Sequence, residues 1–273
     1  MNYQTFEPHP DLSALVKCYW ILEVPGDMNA DRQRIVPDGC IELFFILGED
    51  VKRFTSDDSF ILQPRSMVLG QITRPFFIQP TGYVHTFAIR FYPYGFANFV
   101  EIPIQDLANT ETPISSIFGA QVATALEQKI VNAGSTEDRI RVIEEFLLQK
   151  LAETATIDHI VKSTIDMLVQ TKGSQSISSL LEGQHSLRRS LERKFSRQVG
   201  ISPKQLGKVI RLQSALKLLL TGDKESLTSI AYQSEYYDQA HFIKDFKEFT
   251  GTNPKDFLND EQMILSSLIY SKD

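Results

Sequence analysis

The C-terminal part of the chain contains one pattern twice, and this repeat limits how the chain can fold. Residues 176–203, the first unit, and 226–254, the second unit, each contain a short amphipathic run, a polar break and a longer run. Each longer run has a Phe followed by Gly five positions later and Pro eight positions later. The matched residues are Phe195, Gly200 and Pro203 in the first unit and Phe246, Gly251 and Pro254 in the second. Such spacing predicts a duplicated helical unit.

Each unit has the parts of a helix-turn-helix: two short helices, a tight turn and a polar face on the second helix. Apolar residues three or four apart on the second helices are expected to face the core: Leu187, Leu191 and Phe195 in the first unit, and Phe242, Phe246 and Phe249 in the second. A long helix at 202–220 joins the units and would span about 28 Å at ~1.5 Å per residue. One turn of DNA is ~34 Å, so the two units suit successive major grooves.

Charge is distributed unevenly along the chain. The net charge is −6 overall, with −8 in residues 1–156 and +3 in residues 157–260. Residues 185–217 carry nine Lys and Arg against one acid, Glu192. A basic segment in an otherwise acidic chain indicates a polyanionic partner for that segment. A solvated helix face explains a basic run by itself equally well.

The first part of the chain has the pattern of short strands. Runs rich in β-branched and aromatic residues alternate with Pro, Gly and Asp clusters, at 16–24, 40–47, 59–63, 66–72 and 84–92. In the last run Phe87, Ile89 and Phe91 alternate with other residues and are expected to share one face. Short strands at this spacing predict a cupin-like barrel or sandwich.

The chain as a whole is therefore expected to have an α+β fold. We predict a β-rich domain at 1–115, a helical linker pair at 116–155 and a double helix-turn-helix domain at 156–260. The linker helices are predicted at 116–131 and 138–153. Packing of this pair within the chain is favoured over a dimer seam. The tail 260–273 predicts one more helix, with Met263, Ile264, Leu268 and also Leu265 facing inward.

Several functional classes have no support in the sequence. Cys18 and Cys40 lack CxxC spacing, which favours a reducing, cytoplasmic setting without disulfides. The five His residues form no close-spaced ligand set, so no metal and no cofactor are expected. Neither Cys has a recognisable partner His for nucleophilic catalysis, so we expect no enzymatic activity. No run approaches the ~20 apolar residues of a membrane span, and the N-terminus lacks the order of a signal peptide.

Four stretches identify a family resemblance for the helical part. LRRSLERKFSRQVGISPKQ (187–205), RLQSALKLL (211–219), SIAYQSEYYDQAHFIKDFKEFTG (229–251) and NPKDFL (253–258) occur in this order. Together they resemble the DNA-binding domain of AraC/XylS-type bacterial transcription regulators. The resemblance implies that both second helices enter the major groove of operator DNA, and by analogy that the chain contacts RNA polymerase.

Matching to that family implies a set of DNA-binding residues. They are Arg188, Arg189, Glu192, Arg193 and Arg197 in the first unit, and Gln239, Ala240, His241 and Lys244 in the second, with Asp238 as the N-cap of the second helix. Arg pairs with guanine, Gln with adenine, and Glu accepts from cytosine N4. Because the second helix of the second unit has a net charge near zero, we expect the first unit to supply most of the affinity.

The chain departs from the family pattern at two positions. Glu235 stands in the second turn where the family commonly has Gly, and Leu187 stands where it has Ser or Thr. A non-Gly residue in a left-handed conformation costs about 1 kcal/mol, so the second turn is expected to differ in geometry.

The β-rich part resembles, less closely, a module found ahead of such DNA-binding domains. The resemblance rests on VPDGCIELFFIL (36–47), VLGQIT (68–73) and FAIRFYPYGFANFVEIPIQDL (87–107), and it implies a sensor of a small-molecule effector. The candidate effector pocket consists of Glu42, His85, Arg90, Tyr92 and Tyr94. The competing interpretation places these aromatic residues in the core, with the polar groups satisfied locally.

Two functional hypotheses follow. The first is a sequence-specific DNA-binding transcription regulator that responds to an effector through its N-terminal domain. The alternative is a β-barrel small-molecule binding protein or enzyme whose helical half is a scaffold. Two DNA-reading helices in one chain make a monomer competent in principle, so the sequence leaves monomer and homodimer open.

Overall fold

The N-terminal half consists of two antiparallel β-sheets. The computed structural model describes residues 1–26, 31–153, 158–175, 181, 185–221 and 226–272. The strands in the described part are β1 (Asn2–Phe6), β2 (Val16–Val24), β3 (Gln33–Ile35), β4 (Ile41–Ile46), β5 (Val51–Phe54), β6 (Phe60–Leu62), β7 (Ser66–Leu69), β8 (Phe76–Pro80), β9 (Val84–Phe91) and β10 (Glu111–Pro113). One sheet has the order β1-β2-β9-β4-β7-β10 and the other β3-β8-β5-β6. The predicted β-rich fold is confirmed as a sandwich.

Strand β9 lies inside the larger sheet and is buried on both faces. It pairs with β2 on one side and with β4 on the other. Phe87, Ile89 and Phe91 are fully buried on one face, as predicted. Thr86 and Arg90 lie on the opposite face and line a cavity between the two sheets. Because side chains alternate along a strand, β9 separates a hydrophobic core from this cavity.

Three helices cover the outer face of the larger sheet: α1 (Ile114–Phe118), α2 (Ala120–Asn132) and α3 (Thr136–Glu153). Gly119, with φ of +84°, separates α1 from α2, so the single helix predicted at 116–131 is interrupted. Their buried residues join the core that contains Phe87 and Ile89. The linker pair therefore packs within the chain, as the sequence favoured.

The C-terminal half is helical. Its described helices are α4 (His159–Gln170), α5 (His185–Val199), α6 (Pro203–Thr221), α7 (Leu227–Gln233), α8 (Gln239–Thr250), α9 (Pro254–Phe257) and α10 (Ile264–Lys272). The long joining helix predicted at 202–220 is α6. The first helix predicted for the first unit lies outside the described residues, apart from the buried Leu181.

The helical half has two cores, and side chains from the β half enter both. Leu191, Phe195 and other residues of the first unit pack with Tyr94, which follows β9. The core of the second unit includes Phe242 and, from the loop after β3, the fully buried Val36. The two halves of the chain therefore share both cores.

The loop at 36–39 attaches the β half to the long helix α6. The side-chain amide of Gln213 donates a hydrogen bond to the Pro37 carbonyl at 2.6 Å. Gly39 has φ of +79°, and a Cβ built there would meet Leu206 at 3.2 Å. The positive φ and the close approach of α6 both favour glycine at this position.

The tail helix α10 runs back to the β half. Met263 is buried in the core of the second unit, whereas Leu265 is buried in a cluster with Trp20 and other residues of the larger sheet. Ile264 is 48% exposed, so its predicted inward orientation is wrong. Leu265 and Leu268 are three residues apart and share a face of α10, and the partly buried Leu268 packs against the same cluster.

Candidate nucleic-acid interface

The two units repeat in three dimensions as they do in sequence. Leu191 and Phe195 in α5, and Phe242 and Phe246 at the matched positions of α8, have no exposed surface. Gly200 and Gly251 both have positive φ after these helices, +93° and +76°. Their amides donate back to the helix, to the Ser196 and Lys247 carbonyls. Glycine is favoured here because it alone adopts positive φ without steric cost.

The next helix of each unit starts in the same way. Pro203 and Pro254 are the first helical residues of α6 and α9. Before them, the Ser202 hydroxyl accepts from the backbone of Gln205, and the Asn253 side chain accepts from the backbone two and three residues further on. A capping side chain followed by Pro at the first position is a typical start of a helix.

The first unit presents a basic surface along α5. All of its predicted DNA-binding residues are exposed: Arg188, Arg189, Glu192, Arg193 and Arg197. Arg188 and Glu192 form an ion pair of 3.1 Å, with about half of each side chain exposed. Such a pair contributes only a few tenths of a kcal/mol and leaves the arginine available to a stronger partner. The surface can therefore contact phosphates and base edges.

An ion pair anchors α5 to the preceding helix. Lys194 Nζ lies 2.6 Å from Asp158 Oδ2. The other oxygen of Asp158 accepts from the Ile160 amide and caps α4. Hydrogen bonding with Lys194 lowers the pKa of Asp158 below its usual range. This contact fixes the orientation of α5 against α4.

In the second unit, the turn keeps a left-handed residue without glycine. Glu235 has φ of +61°, in the left-handed region that favours glycine. Asp238 caps α8 by accepting from the His241 amide at 2.7 Å, as predicted. Of the two tyrosines between them, Tyr236 is buried and Tyr237 is 86% exposed. A residue with strained backbone conformation therefore lies three positions before the N-cap of α8.

The predicted base-reading residues of the second unit differ in exposure. Ala240 and Lys244 are exposed, whereas Gln239 and His241 are half-buried. Gln239 Oε1 accepts a hydrogen bond of 2.7 Å from the Thr228 hydroxyl on α7. The amide nitrogen of Gln239 keeps its two donors, and adenine presents an acceptor at N7.

A buried carboxylate on α8 is a feature that the sequence analysis did not predict. Asp245 has only 3% of its side chain exposed and lies 3.2 Å from Lys208 Nζ on α6. Its second oxygen lies 3.5 Å from His241 Nε2. Burial opposes the charge of Lys208, but hydrogen bonds with Glu248 and Asp245 raise the pKa of Lys208. Asp245 occupies the position that Lys194 has in the first unit, so the two anchoring ion pairs have opposite polarity.

The candidate effector pocket contains two of its five predicted residues. Glu42 and Arg90 line a cavity of about 100 Å³ between the sheets. They are directly opposite on β4 and β9. Glu42 Oε1 accepts from Arg90 Nε at 2.8 Å and from Trp20 Nε1 at 2.9 Å. The remaining lining is mainly apolar.

The structure does not place His85, Tyr92 and Tyr94 in this cavity. His85 is five residues from Arg90 on β9 and points to the opposite face, beside Arg139 of α3. Tyr92 and Tyr94 lie beyond the end of β9, with ring centroids 6.2 Å apart. Tyr94 packs in the core of the first unit. Strand alternation and the end of β9 therefore divide the five predicted residues among three places.

The charged groups of the cavity determine which ligands suit it. Asp38 Oδ2 lies 3.6 Å from Arg90 Nη2, so Arg90 faces two carboxyl groups. Burial, and repulsion from Asp38, raise the pKa of Glu42, while Arg90 opposes this. Burial also raises the pKa of the Cys40 thiol in the cavity wall to about 12. The thiol therefore stays protonated at neutral pH, and the polar end of the cavity consists of two carboxyl groups that face one guanidinium.

Two further findings, on metal-ligand groups and on membrane-spanning helices, concern the described residues only. They contain no group of three or more His, Cys, Asp and Glu side chains arranged to hold a metal ion. Their helices include none with the length and apolar content that a membrane span requires.

Comparison with known families agrees with this organisation. Residues 185–260 match a family model described as a helix-turn-helix domain, of the AraC type. Residues 4–113 match a model described as a domain of unknown function, DUF6597. The match to a helix-turn-helix domain therefore covers the helical half, and the match to the domain of unknown function covers the β half.

One curated relative and several solved structures are similar to the chain. An uncharacterized HTH-type transcriptional regulator from Haemophilus influenzae is 28% identical over 143 residues, which are 50% of this chain and 48% of the relative. The chain thus spans about half the length of that relative. A structure of ToxT from Vibrio cholerae is 14% identical with a TM-score of 0.49, covering 97% of this chain and 100% of that one. ToxT bound to an unsaturated fatty acid is 15% identical with a TM-score of 0.43, covering 87% and 93%.

Proposed function

We propose that the protein is a sequence-specific DNA-binding transcription regulator. The observation that carries this proposal is the duplicated helix-turn-helix, in which the outward faces of both α5 and α8 carry exposed polar side chains. Helices α5 and α8 are the recognition helices of the two units. A recognition helix enters the major groove and reads base edges there. Two units on one chain can therefore read two successive grooves.

The first unit is proposed to supply most of the binding affinity. Its recognition helix exposes Arg188, Arg189, Arg193 and Arg197, which can neutralise phosphates and release counterions. Arg can also pair bidentately with guanine. Glu192 is the one acid on this face; its charge repels phosphate, and its carboxylate can accept from cytosine N4.

The second unit is proposed to adjust specificity. Gln239 can donate to adenine N7, and Ala240 offers a methyl group to the thymine methyl. Lys244 is exposed, but the same helix carries Asp245 and Glu248. Because these acids reduce the positive potential around Lys244, its contribution through phosphate contact is expected to be small.

The cavity in the β half is proposed as the effector site. Its apolar walls suit a small apolar molecule, and Glu42, Arg90 and Asp38 provide a polar end. Loop 36–39 connects this end to α6, because Asp38 faces the cavity while Val36 lies in the core of the second unit. A ligand at Asp38 and Arg90 would therefore act next to the junction with the DNA-binding half.

The cavity also supports the alternative class, a small-molecule binding protein with a helical scaffold. A homodimer and contact with RNA polymerase are proposals that rest on the family resemblance alone.

Selection of bound sequences from a random DNA duplex pool tests the proposed function. The full-length protein is expected to enrich a motif, and its affinity for that motif should fall steeply with salt concentration. A variant with Arg189 and Arg193 both changed to Ala serves as the comparison and should lose enrichment. Equal enrichment by this variant, or binding that does not depend on salt, would contradict the proposal and favour the scaffold alternative.

A further inference from the structure

The wall of the cavity includes part of the C-terminal tail. Leu265 and Ser266, at the start of α10, line the cavity together with residues from both sheets. Leu265 is 7% exposed and packs in the cluster that contains Trp20 and Val84. The C-terminal end of the DNA-binding half therefore closes a cavity that otherwise belongs to the β half.

A set of polar contacts holds the tail on strand β3. The Leu265 amide donates to Gln33 Oε1 at 3.2 Å, and the Ser266 hydroxyl donates to the Arg34 carbonyl at 2.6 Å. Arg34 also forms an ion pair of 2.8 Å with Asp260, in which both side chains are largely buried. Neither Gln33 nor Arg34 lines the cavity, because the lining in this segment begins at Ile35.

The same short segment connects the tail, the cavity and the second unit. Residues 33–34 hold the tail, Ile35 and Val36 line the cavity, and Asp38 faces Arg90 inside it. Val36 is also part of the second unit's core. A displacement of the tail therefore changes the attachment of the second unit to the β half.

We propose that the tail is a displaceable wall of the cavity, and that a small apolar ligand with a hydrogen-bond donor competes with Leu265 for the same space. This inference rests on the proposed effector role of the cavity. The cavity is small, about 100 Å³, so a larger ligand needs the volume that Leu265 occupies. Two carboxyl groups face one guanidinium at the polar end, so a hydrogen-bond donor on the ligand meets carboxyl oxygen atoms there.

Competition between the tail and the ligand predicts whether each variant strengthens ligand binding or leaves it unaltered. Arg34→Ala weakens the hold on the tail without altering the cavity lining, so it should strengthen binding of a ligand that needs the tail to leave. Leu265→Ala removes the side chain that occupies the space, and it should strengthen binding as well. Ile264→Ala changes the exposed neighbour of Leu265 and should leave binding unaltered.

The test uses indole as the probe and benzofuran, which has the same shape without the N–H donor, as its control. Calorimetric titration of the full-length protein is expected to show indole binding more tightly than benzofuran. Arg34→Ala should tighten indole binding at least threefold, whereas Arg65→Ala, which breaks an exposed ion pair with Asp50, should not change it. In the unaltered protein, indole should accelerate hydrogen exchange at the Leu265 amide.

Three results would overturn the inference. Indole binding that Arg34→Ala leaves unchanged would show that the tail and the ligand do not compete. Indole binding without faster exchange at Leu265 would show that the tail stays in place. No indole binding by any variant, including Leu265→Ala, would remove the cavity as a site for this ligand class. None of these depends on DNA, so the sequence selection above tests the proposed function separately.

Discussion

The two helix-turn-helix units have the same backbone plan but hold their recognition helices in opposite ways. In the first unit a basic residue of the recognition helix, Lys194, reaches an acid on the preceding helix, and both are partly exposed. In the second unit the matched residue is a buried acid, Asp245, which binds Lys208 on α6. The arginines of the first recognition helix therefore remain exposed to a partner. In the second recognition helix, the buried Asp245 holds the helix against α6.

This difference assigns the units different roles. A duplicated unit can change the charges on its recognition helix as long as the buried row and the Gly and Pro positions are kept, because these determine the backbone. Leu191, Phe195 and Gly200 have direct counterparts in the second unit, whereas the polar residues between them do not. The predictions below compare matched positions, from the largest expected effect to the smallest.

The buried acid gives the largest expected effect. Asp245→Ala should lower the local free energy of opening of α8 by about 2–3 kcal/mol, because Lys208 loses a buried partner. Lys194→Ala breaks the matched but partly exposed pair and should cost α5 less than about 1 kcal/mol. Hydrogen exchange of the amides of each helix measures both values. Equal losses in the two helices would contradict the comparison.

The next effect concerns DNA affinity. Arg193→Ala should weaken binding to the selected operator about 30-fold, ~2 kcal/mol, through loss of a bidentate base contact. Lys244→Ala, at the matched position of the second unit, should weaken it only about threefold. Arg193→Lys keeps the charge without the planar fork and should recover part of the loss. A larger loss for Lys244→Ala would reverse the assigned roles.

The left-handed turn of the second unit gives a smaller effect. Glu235→Gly should stabilise the second unit by about 1 kcal/mol, because glycine adopts φ of +61° without the steric cost that a side chain has there. Lys247→Gly, inside α8, should instead destabilise it by about 1 kcal/mol. Thermal unfolding of the two variants measures these shifts, and destabilisation by Glu235→Gly would show that its side chain makes a contact of greater value.

The smallest effect concerns the acid on the first recognition helix. Glu192→Gln should strengthen DNA binding about twofold at low salt, since it removes a negative charge and frees Arg188. The gain should disappear at high salt. Glu137→Gln serves as the control, because Glu137 is exposed in the first turn of α3, outside both helix-turn-helix units, and should leave DNA binding unaltered. Binding isotherms at two salt concentrations decide whether Glu192 repels phosphate or reads a base.

Much of the helical half could be predicted because its pattern is local and repeated. The Phe, Gly and Pro spacing located the second helix of each unit, and the predicted Leu191, Phe195, Phe242, Phe246 and Phe249 are buried. The family resemblance indicated the Asp238 cap. The role of Asp245 could not be found in this way, because its partner Lys208 lies on another helix. A polar residue between buried positions looks the same in sequence whether it meets solvent or a buried ion.

The β half was less predictable for the same physical reason. Strands rich in β-branched residues, such as β2 and β9, were identified, but β1, β3, β5, β8 and β10 were not. Strand β3 has only three residues, two of them polar, and contacts with the tail and β8 support it. One error in the pocket was avoidable: His85 and Arg90 are an odd number of residues apart on one strand, so they face opposite sides.

The account's central claim is that each unit reads its own part of a two-part operator. Selection from a random duplex pool with the unaltered full-length protein, Arg193→Ala and Lys244→Ala tests it most directly. The unaltered protein should enrich two half-motifs about one helical turn apart, and each variant should lose sequence preference in a different half. Loss of the same positions in both variants, or a single half-motif for the unaltered protein, would contradict the claim.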